Sequence, residues 1–378
     1  MIKKLCIFSS DPLQAYVKKG EIKKNYFNPN NFFDEIHIMN PTNEKIDVNS
    51  VQIMAGNAKM IVYPIGKMNC FDMFWRKSKV IKLIKKIKPN VIRSYNPLVQ
   101  GWLAAYCSKK EKIPYWISIH GDYKSEIEKE YLERKEYLRF LKLWLTRNIT
   151  QNNTVSTASI VSCIHKGLVN YVEKLGAKNI EIIYNKVDFS QFNEKLEPAI
   201  KLDKPIILNV GNLRKIKNQE CLIRAIENLD VYLLLIGNGE MYDELKHLVK
   251  NLKIENKVIF KKFVSHEQIQ NYYASATIFA MPLKGEGVTI PTLEALVSGC
   301  ITIVAEPKRE KNEPFDKAII YVKNTPEGFS NAFTDVLENY SKYEEKIEEN
   351  KEIIKKIDSK KMENLEKGIY EKLLKDFK

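Results

Sequence analysis

Short apolar runs alternate along the chain with longer stretches in which apolar residues recur every three or four positions. That alternation is the pattern of βαβ units, in which buried parallel strands are joined by amphipathic helices. In the first half the runs predict strands at 4–8, 35–39, 51–54, 91–93, 115–119 and 160–163, with helices over 74–87, 99–107 and 125–147. A second register opens at Pro205 with the unbroken run Ile206-Ile207-Leu208-Asn209-Val210. Helices then follow at 218–228, 241–252, 266–275 and 291–298, interleaved with strands at 231–236, 258–260, 277–281 and 301–305. Polar residues and Pro198 mark 188–204 as a linker, and a charged helical tail begins at Thr325. The expected organisation is α/β, with a doubly wound Rossmann-like domain over 1–190, a second over 191–355, and a helix over 356–378 returning to the first.

Composition narrows the class. An apolar fraction of 44% supplies two cores and no run reaches the ~18 residues of a membrane span. The opening run stops at Ser9-Ser10-Asp11, short of a signal-peptide core, so a cytoplasmic protein is expected. Six scattered cysteines without a C-x-x-C pair fit free thiols and no metal site. The net charge of +14 points to anionic partners. It comes almost wholly from lysine, and no nucleic-acid-binding motif accompanies it, so nucleic acid is not an expected partner. From Asp72 to Glu111 there is no intervening acid, while Arg76, Lys77, Lys79, Lys82, Lys85, Lys86, Lys88 and Arg93 all occur. Val80, Ile81, Ile84 and Ile87 share one helical face, which suits packing on a sheet, and the basic face suits weak docking on an anionic membrane.

Doubly wound sheets bind ligands beyond the carboxyl ends of their strands. Two such loops in the second half carry candidate chemistry. In Gly211-Asn212-Leu213-Arg214-Lys215-Ile216-Lys217, three cations are expected to crowd the start of a helix, where a bound diphosphate would relieve their conflict with the helix dipole. Solvated cations in a lysine-rich chain are the equal alternative. In Gly285-Glu286-Gly287-Val288-Thr289-Ile290-Pro291, Pro291 marks a first helical position, and the amides of Gly287, Val288, Thr289 and Ile290 are expected to face a phosphate or sugar. Glu294, one turn inside, can accept from ribose hydroxyls, and Glu286 can reach the reacting sugar.

At these residues the chain resembles family 4 glycosyltransferases of the GT-B fold, two Rossmann-like domains facing across a cleft. The resemblance is carried by Val210-Gly211-Asn212-Leu213-Arg214 with Lys217, by Ile236-Gly237-Asn238-Gly239, by Val264-Ser265-His266-Glu267 before a helix ending Tyr273-Ala274-Ser275-Ala276, and by the Glu286–Glu294 element. In the first half, Lys88-Pro89-Asn90-Val91-Ile92, the strand ending in His120-Gly121, and Tyr184-Asn185-Lys186-Val187-Asp188 are similar to family segments. The chain departs from the family at Asn212, where arginine is usual, at Val288-Thr289, where Phe-Gly is common, and at Lys186 and Lys262, where glycine is usual. Ser9-Ser10-Asp11-Pro12 stands in place of the glycine-rich loop after the first strand.

The resemblance implies that a nucleoside-diphosphate sugar is the donor and a glycan or lipid-linked molecule the acceptor. Lys217 and Arg214 would hold the diphosphate beside the Gly211 loop, Glu294 the ribose, and Glu286 and His120 the transferred sugar. It also implies retention of anomeric configuration, with the leaving diphosphate taking the acceptor's proton. No cofactor is expected, and no metal if those cations do the neutralising, since the chain lacks a convincing Asp-x-Asp metal motif. A nucleotide-sugar epimerase of the same fold and a catalytically silent scaffold are the alternatives.

Overall fold

A computed structural model of the 378-residue chain describes residues 2–19, 22–192, 196–285 and 288–376. The chain divides into two compact units, one formed by 1–184 with 361–378 and the other by 185–360.

Unit 1 is a seven-stranded parallel sheet of β1 (Lys4–Phe8), β2 (Glu35–Asn40), β3 (Lys59–Pro64), β4 (Val91–Ser94), β5 (Tyr115–Ile119), β6 (Ile160–Cys163) and β7 (Ile180–Ile182), in the order β3-β2-β1-β4-β5-β6-β7. Its helices before the unit boundary are α1 (Leu13–Lys19), α2 (Asp72–Ile87), α3 (Val99–Glu111), α4 (Lys129–Glu133), α5 (Tyr137–Thr157) and α6 (Val169–Lys174). Successive side chains of a strand point to opposite faces, and here both faces are covered. Cys6 and Phe8 pack with Val80, Ile84, Leu103 and Val155 on one side. Leu5 and Ile7 pack with Phe27, Phe33 and Met54 on the other.

Unit 2 is a six-stranded parallel sheet of β8 (Ile206–Val210), β9 (Tyr232–Ile236), β10 (Val258–Lys261), β11 (Ile278–Met281), β12 (Ile301–Ala305) and β13 (Ile320–Val322), in the order β10-β9-β8-β11-β12-β13. Helices α7 (Gln219–Ala225), α8 (Tyr242–Asn251), α9 (His266–Tyr273), α10 (Ile290–Val297), α11 (Pro326–Glu338), α12 (Tyr340–Glu344) and α13 (Ile347–Ile354) connect and cover it. A final helix, α14 (Ser359–Asp376), packs Met362, Ile369, Tyr370 and Leu373 into the second core of unit 1. In both sheets the order reverses beside the first strand, between β1 and β4 and between β8 and β11, which is where doubly wound folds open a crevice.

Three elements differ from expectation for identifiable reasons. Residues 51–54 form no strand. They enter a 3-10 turn, Gln52–Ala55, which Gly56 ends with φ of 58° as its amide donates to the Ile53 carbonyl. The third strand is instead Lys59–Pro64, an edge strand, where a charged start and a terminal proline are tolerated. The helix expected over 125–147 is broken at Lys135, which takes a left-handed φ of 57°. Its second part, α5, runs ten residues past the expected end through the poor helix formers of 148–157. There Thr150 and Thr154 donate their hydroxyls to the carbonyls four residues back, at 2.8 and 2.7 Å.

Candidate functional site

In unit 2 the loops after β8 and β9 lie against each other, backbone to backbone. The Gly211 amide donates to the Ile236 carbonyl at 2.9 Å, Leu213 to Asn238 at 3.1 Å, and Met241 to Leu213 at 3.0 Å. Two glycines permit this approach. A Cβ on Gly237, whose φ is 147°, would lie 2.0 Å from the Gly211 carbonyl oxygen, and one on Gly239 would lie 2.3 Å from that of Leu213. Gly211 itself has nothing within 4 Å of its would-be Cβ, so that face of the loop is open.

The cations that follow are arranged differently from the expectation. Lys215–Lys217 form a 3-10 turn, and Asn218, left-handed at φ of 55°, separates it from α7. They therefore precede the helix, and its first turn holds Glu220, as the dipole prefers. Arg214 and Lys217 are half-buried and Lys215 is exposed. The turn is tied to the loop after β11: the Lys284 amide donates to the Ile216 carbonyl at 2.9 Å. Asn218 donates to Asn324 at 2.9 Å, and Asn324 donates in turn to the Pro282 carbonyl at 3.1 Å. Beneath them buried Asn209 donates to the Ala280 carbonyl at 2.7 Å, and Gln219 donates to the Asn212 carbonyl at 3.1 Å. Both sides of the β8/β11 crevice are thus fastened to one another.

The second loop ends in α10. Glu286 and Gly287 lie outside the described residues. Val288, Thr289 and Ile290 are half-buried. The helix begins at Ile290, so Pro291 occupies its second position, and Thr289 is its cap, accepting from the Thr292 amide at 3.3 Å. Glu294 is buried among apolar neighbours, where one carboxylate oxygen accepts from the Tyr273 hydroxyl at 2.9 Å. Burial, reinforced by the adjacent carboxylate, pushes the Tyr273 phenol well above its ordinary range. Tyr273 therefore stays a proton donor that fixes the Glu294 rotamer.

His120 belongs to unit 1, following β5, with its ring 6.0 Å from that of Tyr95. Surrounding protein, and then the Arg93 guanidinium, pull the imidazole below its ordinary value while Glu366 opposes. The direction of the shift favours a neutral imidazole at pH 7. Arg93, named above with the cations between Asp72 and Glu111, is inside the unit instead. It donates to Glu366 at 2.7 Å, Tyr370 at 2.9 Å and Ser118 at 3.2 Å, over the face of Trp116.

Comparison with known proteins agrees with this architecture. A family model described as Glycosyltransferase Family 4 matches residues 41–191, and one described as Glycosyl transferases group 1 matches 190–353. The chain belongs to the family 4 glycosyltransferases.

Among curated relatives of this glycosyltransferase is the N-acetylgalactosamine-N,N'-diacetylbacillosaminyl-diphospho-undecaprenol 4-alpha-N-acetylgalactosaminyltransferase of Campylobacter jejuni. It is 34% identical over 143 residues, covering 37% of this chain and 39% of the relative. The N-acetyl-alpha-D-glucosaminyl L-malate synthase of Bacillus anthracis is 25% identical over 157 residues, 38% of this chain and 41% of the relative. The matches span about two fifths to half the length of the first of these relatives. The fold is shared along the whole chain. Sucrose-phosphate synthase from Thermosynechococcus elongatus superposes with a TM-score of 0.73 at 14% identity, over 99% of this chain and all of the other. Anabaena HepE in complex with UDP superposes with 0.71 at 14%, over 98% and 100%. These likenesses give the GT-B fold.

Within this family 4 chain, sequence reasoning missed the groups that hold the site residues in place. Asn209, Gln219, Asn218 and Asn324 were assigned no role, and Tyr273, though part of a family-like segment, was not connected with Glu294, because each acts through a tertiary contact. In unit 1 the hydroxyls of Ser10 and Tyr95, after β1 and β4, are buried without a hydrogen-bond partner. They flank the point where the sheet order reverses. Ser10 lies in the very segment that departs from the family's glycine-rich loop.

Proposed function

We propose that this protein transfers a sugar from a nucleoside-diphosphate sugar to a glycan or lipid-linked acceptor, with retention of anomeric configuration, in cell-surface polysaccharide or glycoconjugate assembly. The observation that carries this reading is the fastened β8/β11 crevice, bordered by an open glycine loop, a cationic turn and a buried, Tyr273-held Glu294. The relatives support it: the Campylobacter protein is named for a diphospho-undecaprenol-linked acceptor, and HepE was solved with UDP.

In this reading Lys217 and Arg214 neutralise the donor diphosphate together with the amides of 288–290, stabilising the charge of the leaving group. Glu294 receives the ribose hydroxyls, its second oxygen freed for them by the Tyr273 bond to the first. Glu286 contacts the transferred sugar. A neutral His120 offers a hydrogen bond to that sugar without adding charge. The departing diphosphate accepts the acceptor's proton, and the cations make a metal unnecessary.

The test is turnover of a panel of nucleotide sugars, preselected by thermal stabilisation, scored as free nucleoside diphosphate released only when acceptor is present. Release without acceptor and without product, interconversion of donor epimers, or no turnover of any stabilising donor would each overturn the reading. Glu286→Gln is expected to lose transfer while retaining nucleotide affinity, and activity is expected to survive EDTA. Loss of activity with EDTA, restored by Mg²⁺ or Mn²⁺, would overturn the metal-free mechanism.

A further inference from the structure

The lysine-rich segment between Asp72 and Glu111 forms α2 and α3, and α2 divides its faces sharply. Val80, Ile84 and Ile87 are buried in the sheet core. Lys79, Lys82 and Lys86 are exposed, while Lys85 lies 3.7 Å from Glu111. At the start of the helix, however, the outward face is aromatic. Phe71, Phe74 and Trp75, spaced to fall on one side of a helix, are all exposed, Trp75 by 83%. The start of α5 repeats the arrangement: Tyr137, Leu138, Leu141 and Trp144 are exposed, Leu138 by 85%, with Arg139 and Lys142 among them. Both starts border one cavity of about 370 Å³. Met68 and Asn69 line it ahead of α2, and Arg139, Lys142 and Leu143 line it from α5.

Large aromatic and aliphatic side chains do not gather on an open surface without a partner. Cations beside them choose the partner. Exposed tryptophan and phenylalanine, with lysines along the adjoining face and no acid between Asp72 and Glu111, match a surface that is apolar at depth and anionic at its boundary. We infer that the aromatic starts of α2 and α5 dock unit 1 on an anionic phospholipid bilayer, with Trp75 and Leu138 entering the interface and Lys79, Lys82 and Lys86 meeting the headgroups. This surface is distinct from the nucleotide-side crevice, which belongs to unit 2, and the inference does not rest on the transfer reaction.

The test is co-sedimentation of the full chain with vesicles of phosphatidylcholine alone or with phosphatidylglycerol, at low and raised salt. The wild-type protein is expected to pellet with the anionic vesicles at low salt and to be released as salt rises. Trp75→Ala with Leu138→Ala is expected to reduce partitioning at least tenfold. Lys79→Gln, Lys82→Gln and Lys86→Gln together are expected to reduce it about a hundredfold, on anionic vesicles only. All five side chains are exposed, so melting and UDP binding should match wild type, which separates lost docking from lost structure. Wild-type protein left in the supernatant, or undiminished pelleting of the Trp75→Ala, Leu138→Ala variant, overturns the inference. So does a dimer in solution that this variant dissociates, since the surface would then cover a second copy of the chain.

Discussion

The two units share one sheet plan and secure their crevices by opposite means. In unit 2 the carboxyl ends of β8 and β9 are joined by backbone hydrogen bonds that only glycine at 237 and 239 permits, and amide side chains complete the fastening. In unit 1 the corresponding end rests on side chains: a buried Arg93–Glu366 ion pair beneath Tyr95 and His120, with aromatic rings around it. Their surfaces differ as well. Among the described residues, only Leu202, Phe263 and Tyr340 of the exposed large hydrophobic side chains belong to unit 2. A backbone-built site tolerates sequence change except at its glycines, whereas a side-chain-built one depends on each partner being present.

That difference can be broken experimentally because all four tryptophans, Trp75, Trp102, Trp116 and Trp144, lie in unit 1. Tryptophan fluorescence therefore follows unit 1 alone, and UDP calorimetry follows the proposed site of unit 2. Glu366→Ala should have the largest effect, destabilising the fluorescence transition in urea by about 3–5 kcal/mol, because it strands a buried guanidinium. An unchanged urea midpoint would show that the pair is dispensable. Gly237→Ala should cost about 2–3 kcal/mol through backbone strain and contact with Gly211. It should abolish measurable UDP binding while leaving the tryptophan transition in place, and a shift of that transition instead would blur the comparison. Lys217→Ala should weaken UDP binding by about 1.5–3 kcal/mol in a fully folded protein. Wild-type affinity would remove Lys217 from the proposed site. Thr289→Ala, which deletes the α10 cap, should cost about 1 kcal/mol, read as a small fall in the thermal midpoint of the UDP-bound protein. No fall would mean that Pro291 and packing alone start the helix.

The same contrast explains what could be read from the chain beforehand. Strands β8 to β12 of unit 2 were legible because each is largely an apolar run, and Gly211, Gly237 and Glu294 were legible because backbone approach and strand-end loops leave a local signature. The third strand of unit 1 was not, since Lys59 and Pro64 bracket an edge strand in polar terms while 51–54 looks more apolar than the turn it forms. Strands β7 and β13, of three residues each, offer too little periodicity to register. Arg93 was misread as a surface cation because its partner stands 273 positions away, a relation no local pattern contains. The bond by which Tyr273 holds Glu294 was hidden for the same reason, at a separation of 21.

The long return of α14 also sets a timetable. Unit 1 is interrupted by the whole of unit 2, so its sheet is complete in sequence by Ile182 while Glu366, Tyr370 and Leu373 have yet to be made. At the usual ~5–20 residues per second of synthesis, Arg93 waits on the order of 15 to 55 seconds for its carboxylate. Unit 2, contiguous in the chain, emerges whole within that interval. The newborn chain is thus expected to hold a finished unit 2 beside an unfinished unit 1, whose guanidinium stays hydrated until the last helix arrives to exclude the water.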